Sequence, residues 1–342
     1  MKPFTNVKET SCTNDFQNVR HLVFAGGGIR GLAFVGALKA IYDKTGIDFS
    51  LIAHRPIMCT GVSVGALLSL LIVIGFSVHE LLDFSSSLLN ETFVSINPLL
   101  LLKGGLSVDN GEKLTAFLTS LLEKKGFSAS TTLSQLFIAT RVSLETVITN
   151  LTTASVMYIN HESHPTLSVI TAVMASMSLP LIFPPVKGTN GHVWADGGIM
   201  ENFPMHKYPA ETSLGFTFIW KIDGKPDSLL SYIMRLIQLQ QIPQEICSWN
   251  LMPVALKRKC IVIDCGSISM LGPNWDFALT SEIREALLLI GKKAADEKMS
   301  TWTEPYSEID IDPGSRLPSI SPRILPSYMP VQVGSEKASC VL

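Results

Sequence analysis

The sequence is poor in charge and in cysteine. Charged residues make up 16% of the 342 residues, and 27 Lys and Arg against 29 Asp and Glu give a formal net charge of -2. The sequence contains no run of basic residues that could follow a phosphate backbone, which argues against nucleic acid as a partner. The 6 cysteines include no Cys-x-x-Cys pair, so neither a disulfide framework nor a zinc site is indicated.

Export signals and long apolar runs are also missing. Residues 1–18 are polar and lack the apolar core of a secretory signal, so we expect an intracellular, cytoplasmic protein with reduced thiols. The most apolar stretch, residues 62–76, is shorter than the roughly 20 residues of a membrane-spanning helix, so it predicts a buried helix. Ser339 occupies the position that a C-terminal prenylation signal gives to Cys, and we expect no lipid anchor.

What the chain does have is enough apolar surface to fold. With 46% hydrophobic residues it must bury a large core. We expect a polar leader at 1–18, one α/β domain at 19–302 and a flexible tail at 303–342. In the tail, repeated prolines mixed with Ser and Gly disfavour helices and central strands.

Two strand-turn-helix units near the start predict an α/β layered fold with a largely parallel sheet. The first has a strand at 21–25 and a helix at 32–42; the second has a strand at 55–60 and the helix within 62–76. Further strands are predicted at 137–142, 146–150, 213–221 and 260–265, and further helices at 168–177, 229–241 and 279–295.

Four consecutive leucines at 99–102 fit no single amphipathic period. We interpret them as core packing. The alternative is an apolar lid or wall that faces a lipid chain.

Ser63 lies between two glycines in Gly61-Val-Ser63-Val-Gly65, the pattern of a nucleophile elbow. Glycine on either side allows a tight strand-to-helix turn that lifts the hydroxyl out of the backbone. The helix dipole would then favour an alkoxide or oxyanion at Ser63. A merely structural glycine-rich turn is the alternative.

The loop at 26–31 also follows a predicted strand and opens a helix. Gly26, Gly28 and Gly31 satisfy the G-x-G-x-x-G pattern, which in a dinucleotide fold holds pyrophosphate, and Asp48 lies near the distance expected for a ribose ligand. In an acyl-transfer enzyme the same backbone amides would form an oxyanion hole. Arg30 would add positive charge in either case.

A catalytic serine needs a base, and Asp196 is the better candidate. It ends an apolar run and is followed by two glycines that leave room around its carboxylate. An Asp with a pKa near 4 is a poor base in water, but desolvation in a cleft would raise that pKa. The alternatives are a histidine-assisted triad using His206 and a structural Asp-Gly-Gly turn.

In this order, the motifs at 26–31, 61–65 and 196–198 resemble those of the patatin-like phospholipase family. Segments at 105–109, 175–185 and 201–204 are also similar, and the resemblance extends from about Val19 to Pro204. It implies a three-layer α/β/α fold with a largely parallel central sheet and a Ser-Asp dyad without histidine.

Carried over to this sequence, the resemblance makes Ser63 the nucleophile and Asp196 the base that takes its proton. The remaining motif residues form the oxyanion hole (Gly26, Gly27, Gly28, Arg30 and Gly31) or support the motifs (Gly61, Gly65, Gly197 and Gly198). It implies neither a metal nor another cofactor.

We therefore predict a serine carboxylic-ester hydrolase that cleaves fatty acyl esters of phospholipids or neutral lipids through an acyl-enzyme. It would visit a membrane or lipid droplet transiently from the cytoplasm, and a protein activator is possible. The alternatives are a lipid acyltransferase with the same dyad, a nucleotide-binding module that uses the G-x-G-x-x-G loop, and a catalytically silent lipid-binding protein.

Overall fold

A sheet of eight strands runs through the computed structural model, which describes residues 16–90, 94–95, 97–219, 226, 229–272 and 277–301. The strands are β1 (His21–Phe24), β2 (Met58–Gly61), β3 (Ser143–Asn150), β4 (Ser155–Ile159), β5 (Val186–Lys187), β6 (Val193–Asp196), β7 (Ser213–Phe218) and β8 (Cys260–Ile263). Their order is β5-β6-β3-β2-β1-β7-β8, and β4 also pairs with β3. The run from β3 to β8 is parallel, whereas β4 and β6 are antiparallel to β3.

Helices flank this sheet. They are α1 (Leu32–Thr45), α2 (Val64–Val73), α3 (Val78–Ser87), α4 (Leu99–Leu102), α5 (Glu112–Lys124), α6 (Leu133–Thr140), α7 (Val169–Ser176), α8 (Leu229–Leu251), α9 (Val254–Arg258) and α10 (Ser281–Thr301). Helices α2 and α7 pack on β3, and α10 packs on α1 and β8. The predicted three-layer α/β/α fold with a mostly parallel sheet is confirmed.

The apolar runs of the sequence become strands because the sheet buries them. Leu22, Val23 and Phe24 of β1 have no exposed surface, as expected for a parallel strand covered on both faces. The strands predicted within 21–25, 55–60, 146–150, 213–221 and 260–265 are confirmed, although residues 220–221 lie outside the described part of the chain.

The strand predicted at 137–142 is wrong, because these residues belong largely to α6. Thr132 and Gln135 form a capping box: the Gln135 N–H donates to Thr132 Oγ1 at 3.2 Å, and the Thr132 N–H donates to Gln135 Oε1 at 2.9 Å. Leu133 and Leu136 are buried on one face of the helix. The helix start signal and this spacing outweigh the apolar content of the segment.

The interpretation of the four leucines as core packing is also wrong. They form the short helix α4, in which no residue is buried. Leu99 is 58% exposed and Leu102 81% exposed, and nearby Leu106 is 66% exposed.

Two predicted regions fall outside the described residues, namely 1–15 of the leader and the tail at 303–342.

Helix α8 continues to Leu251, through Pro243 and beyond the predicted end at 241. Among the described helices, none is both long enough and apolar enough to cross a membrane.

Two glycines bring the backbones of α1 and α10 into direct contact. A Cβ added at Gly36 would lie 2.1 Å from the Leu288 carbonyl oxygen, and one at Gly291 would lie 1.7 Å from the Ala33 carbonyl oxygen. A side chain at either position would therefore force the helices apart.

We expect Gly291→Ala to destabilise the protein by about 1–3 kcal/mol, because overpacking outweighs the better helix propensity of alanine. Thermal unfolding of Gly291→Ala and of Lys293→Ala measures this effect. The Lys293 side chain on the same helix is 76% exposed, so its removal should change the melting temperature little. A melting temperature of Gly291→Ala at or above that of the wild type would contradict the close contact.

Candidate active site

Ser63 occupies a sharp turn between β2 and α2. Its φ of 53° and ψ of -122° are unusual for a residue with a side chain, and α2 begins at the next residue. The turn is closed on both sides by glycine: a Cβ at Gly61 would lie 2.1 Å from the Gly65 carbonyl oxygen, and one at Gly65 would lie 2.4 Å from the Phe24 carbonyl oxygen. The predicted supporting role of Gly61 and Gly65 thus has a steric reason.

A second serine holds this turn in place. The Ser63 N–H donates to Ser176 Oγ at 3.0 Å, and the Ser176 hydroxyl donates to the Val147 carbonyl oxygen at 2.7 Å. Ser176 is completely buried at the end of α7. Through this side chain β3 and α7 fix the backbone of Ser63.

Asp196 ends β6 and is 2% exposed. Its Oδ1 accepts the Gly198 N–H at 2.8 Å, whereas its Oδ2 is buried and has no hydrogen-bond partner among the described residues. Burial raises the pKa of Asp196 to about 6, and the nearby Ser63 hydroxyl and the Gly198 N–H act in the opposite direction. One carboxylate oxygen is therefore available to accept a proton near Ser63.

The glycines after Asp196 leave room for neighbouring groups. A Cβ at Gly197 would lie 2.3 Å from the Val147 carbonyl oxygen, and one at Gly198 would lie 2.9 Å from Asn202 Oδ1. A side chain at either glycine would displace the carboxylate or the backbone it rests on.

The loop at 26–31 presents two free backbone donors. Within the described chain, neither the Gly27 N–H nor the Gly28 N–H has a hydrogen-bond acceptor. Gly28 has a φ of +57°, and a Cβ there would lie 2.0 Å from the Met270 carbonyl oxygen. Both glycines line the same cavity as Ser63, where uncommitted amides could stabilise an oxyanion.

The other loop residues have structural partners. The Gly26 N–H donates to Asn202 Oδ1 at 3.1 Å, and the Arg30 N–H donates to the Gly27 carbonyl oxygen at 3.2 Å. A Cβ at Gly31 would meet the Val64 side chain at 2.6 Å. These contacts position the loop against α2, and they involve neither the Gly27 N–H nor the Gly28 N–H.

Arg30 differs most from its predicted role. Its side chain is 8% exposed, and its Nε donates to the Ile268 carbonyl oxygen at 2.6 Å. The side chain thus ties the loop to the chain near residue 268, and Arg30 is absent from the described residues that line the cavity. The structure therefore gives Arg30 a positioning role and does not support a place for it in the oxyanion hole.

Sequence reasoning gave no role to three residues of this site. Asn202 pairs with the backbone of Gly26, because its Oδ1 accepts the Gly26 N–H and its Nδ2 donates to the Gly26 carbonyl oxygen at 3.2 Å. Gln241 Nε2 donates to the Gly198 carbonyl oxygen, and Ser176 supports Ser63 as described. Ser176 and Asn202 fall within segments 175–185 and 201–204, and the resemblance of these segments to the family was the one feature of the sequence that pointed to them.

An apolar cavity of about 1260 Å³, including its open mouth, extends from Ser63 and Asp196. Asn202 and Gln241 add polar groups to the same lining as Ser63 and Asp196. The rest of the lining is mainly aliphatic and aromatic: Ile29, Leu32, Val35, Val64, Leu67, Leu68, Leu71, Phe84, Leu88, Leu114, Phe117, Met177, Leu179, Phe183, Met270, Leu271, Phe277 and Leu279. A large apolar cavity with a few convergent polar groups is the usual form of a ligand site.

The residues of the alternative predictions are engaged elsewhere. Asp48 is 3% exposed, its Oδ1 accepts from the N–H and the hydroxyl of Ser50, and its Oδ2 accepts the Val78 N–H at 2.9 Å, so both carboxylate oxygens bond to the protein itself. His206 is half-exposed, and its Nδ1 lies 3.3 Å from Glu201 Oε1. In the part of the chain that the structure describes, no cluster of His, Cys, Asp and Glu could hold a metal ion.

Residues 22–207, more than half of the chain, match the patatin-like phospholipase family, and the chain belongs to that family. This range contains Ser63, Asp196 and the glycine loop.

Two viral proteins are similar in sequence. The chain is 29% identical over 204 residues to the uncharacterized protein R571 of Acanthamoeba polyphaga mimivirus, a match that covers 58% of this chain and 65% of the relative. It is 28% identical over 188 residues to the probable lipid hydrolase 463L of Invertebrate iridescent virus 6, covering 54% of this chain and 61% of the relative. These matches span less than two thirds of either relative.

Among solved structures, the fold is similar to the crystal structure of VipD from Legionella pneumophila. The TM-score is 0.51 at 15% sequence identity, and the match covers 83% of this chain and 67% of that chain. At this identity the likeness supports the fold alone.

The buried carboxyl of Asp196 predicts a pH-dependent gain in stability for Asp196→Asn. A carboxyl whose pKa is higher in the folded protein than in the unfolded chain stabilises the fold at low pH, and this contribution is lost as the pH rises through about 6. At pH 8 the asparagine variant avoids a buried charge. We therefore expect the free energy of unfolding of Asp196→Asn, relative to that of the wild type, to be higher at pH 8 than at pH 4 by up to about 3 kcal/mol.

Denaturant unfolding of the wild type and Asp196→Asn at pH 4, 6 and 8 measures this difference. Asp83→Asn, on the exposed side of α3, is the control for a carboxyl that remains in water. A stability difference for Asp196→Asn that is constant across this range would contradict the raised pKa.

Proposed function

We propose that this chain is a serine carboxylic-ester hydrolase that cleaves fatty acyl esters of phospholipids or neutral lipids. The observation that carries the proposal is the juxtaposition of Ser63, the buried Asp196 carboxyl and two uncommitted loop amides at one end of an apolar cavity. These groups are a nucleophile, a base and an oxyanion hole. Family membership and the name of the iridescent virus relative support the same chemistry.

The reaction would proceed through an acyl-enzyme. As Ser63 Oγ bonds to the ester carbonyl carbon, its proton passes to Asp196, and the Gly27 and Gly28 amides stabilise the resulting oxyanion. The bond to the alcohol then breaks, and the alcohol leaves with the proton from Asp196. A water molecule, deprotonated by Asp196, attacks the acyl-enzyme, and the fatty acid leaves as the proton returns to Ser63.

The pKa of Asp196 suits this role. A base works best when its pKa lies near the working pH, and burial brings this carboxyl to about 6. We expect kcat/KM to rise as the pH increases through this value, since Asp196 must be ionised to accept the proton.

A fluorophosphonate serine probe and fatty acid release from mixed phospholipid micelles test the dyad together. Because the dyad acts as a unit, we expect Ser63→Ala and Asp196→Asn each to reduce fatty acid release by on the order of 10⁴-fold, and Ser63→Ala to abolish labelling. The control is Ser86→Ala, which removes an exposed hydroxyl on α3.

Product analysis in the presence of an added alcohol separates the hydrolase from an acyltransferase, which would deliver the acyl group to the alcohol. Full labelling and release by Ser63→Ala would overturn the proposal. In that event nucleotide binding by the loop at 26–31 would be tested by its effect on the melting temperature.

We also propose that the enzyme reaches its substrate at a membrane or lipid droplet surface, which it contacts transiently from the cytoplasm. Helix α4 and the residues after it expose Leu99, Leu102 and Leu106. The segment is joined to the cavity wall, because the Val108 N–H donates to the Leu181 carbonyl oxygen at 2.7 Å and the neighbouring Leu179 and Phe183 line the cavity. Exposed leucines beside an apolar cavity suit contact with lipid.

The double variant Leu102→Ser and Leu106→Ser should bind phosphatidylcholine vesicles at least tenfold more weakly than the wild type, because about 1.5–3 kcal/mol of burial in lipid is lost per leucine. Co-sedimentation with vesicles measures the binding. The control is Leu289→Ser on α10, which is 66% exposed, like Leu106. Equal losses in both proteins would show a general effect of surface leucines and contradict the proposed contact.

A further inference from the structure

The chain leaves the sheet directly after Asp196. Strand β6 pairs with β3 as far as Asp196, which lies opposite Ile148, and a short turn follows at Gly197–Ile199. This turn orients the carboxylate, because Asp196 Oδ1 accepts the Gly198 N–H at 2.8 Å while Oδ2 has no hydrogen-bond partner among the described residues. The direction of the Asp196 carboxylate therefore depends on the position of Gly198.

Gly198 needs an external contact to keep this position. A side chain is excluded there, because a Cβ would lie 2.9 Å from Asn202 Oδ1 and 3.1 Å from Asp196 Oδ1. Glycine is also the residue with the greatest backbone freedom. The residue that leaves room for the carboxylate is thus one whose own backbone must be fixed by a neighbour.

Helix α8 provides that contact. Gln241 Nε2 donates to the Gly198 carbonyl oxygen, and within the described chain no other group donates to that oxygen. Gln241 is 7% exposed and Gly198 is buried. A hydrogen bond shielded from water is electrostatically stronger than one in water, so a single buried side chain holds the glycine whose N–H binds Asp196.

A second glutamine of α8 contacts the segment that supports the glycine loop. Gln238 lies three residues before Gln241 and therefore on the same face of the helix. Its Nε2 lies 3.6 Å from Met270 Sδ, and the Met270 carbonyl oxygen accepts the Ile29 N–H at 2.9 Å. This second contact fixes the face of α8 that carries Gln241.

We propose that Gln241 is a positioning residue for the base of the reaction. Through the Gly198 carbonyl it holds the Gly198 N–H on Asp196 Oδ1, which leaves the other carboxylate oxygen free to accept the Ser63 proton. The inference rests on the proposed hydrolase function, in which Asp196 is that base. Gln241 takes no part in the proton transfer, and it lies beyond residue 207, where the family match ends.

Gln241→Met keeps an unbranched side chain of similar length and removes the donor. We expect kcat per active site to fall by roughly 10- to 100-fold, because a small displacement of a reacting group has effects of this size. KM should change by less than about twofold, because the bond acts on the transition state and not on substrate binding.

Counting active sites by fluorophosphonate labelling corrects kcat for any loss of folded protein. The matched control is Gln240→Met, because Gln240 is an exposed neighbour on the same helix and is not among the described residues that line the cavity. Its kcat and KM should equal those of the wild type.

The pKa of Asp196 depends on the same hydrogen bond. Burial raises this pKa to about 6, whereas the Ser63 hydroxyl and the Gly198 N–H lower it, and no charged side chain of the described chain is among its causes. Weakening the Gly198 contact should raise the pKa further, so the rise of kcat/KM with pH should move upward in Gln241→Met by at least roughly half a pH unit. A purely structural role of Gln241 would reduce the amount of active enzyme without moving this rise.

An NMR titration of the ¹³C-labelled Asp196 carboxyl, assigned by the loss of its signal in Asp196→Asn, separates this inference from the proposed function. We expect its pKa to be higher in Gln241→Met than in the wild type and to be unchanged in Gln240→Met. Full hydrolysis by Ser63→Ala together with a raised pKa in Gln241→Met would refute the hydrolase function and retain the coupling of Gln241 to Asp196. Ser63-dependent hydrolysis with an unchanged pKa and an unchanged kcat in Gln241→Met would overturn the inference alone.

Discussion

The backbone turn at Ser63 is the constraint on which the site depends. A residue held at a φ of 53° costs of order 1–3 kcal/mol, and such a conformation persists only where the surroundings enforce it. Here the two flanking glycines remove the steric obstacles, and the Ser176 hydroxyl holds the amide of the turn. The strain is offset by packing around β2 and α2, so the hydroxyl is positioned before any substrate arrives.

The mixed direction of the sheet explains how Asp196 comes to this turn. In the pairing with β3, Gly61 of β2 lies opposite Thr146, and Asp196 of β6 lies opposite Ile148. The two strands approach from opposite directions and end within two residues of each other along β3. An entirely parallel sheet would end both strands at the same edge but would not direct them toward each other.

The sequence predicts best those features that depend on local patterns. The turn at Ser63, the carboxylate at Asp196 and the parallel strands all follow from glycines and apolar runs. The supports of the site depend on contacts far apart in sequence: Ser63 and Ser176 are separated by 113 residues, and Gly26 and Asn202 by 176. No local sequence pattern predicts such pairs, although the resemblance to the family includes the segments that contain Ser176 and Asn202.

The same distinction explains the two wrong expectations of secondary structure and packing. Residues 137–142 have apolar content that suits a strand, but the capping box five residues earlier starts a helix that continues through Thr140. The leucines at 99–102 are hydrophobic, yet none of them is buried in the part of the chain that the structure describes. In both cases the neighbouring chain, rather than the residues themselves, decides the outcome.

The tie between Arg30 and Ile268, and the contact of Gly28 with Met270, have a consequence for where the functional unit ends. Both partners lie beyond residue 207, the last residue of the family match, and so does Gln241 beside Asp196. A fragment cut at the boundary of the family match would keep Ser63, Asp196 and the glycine loop but would lose groups that hold them in place. The smallest piece of this chain that can carry a complete site extends at least to residue 270.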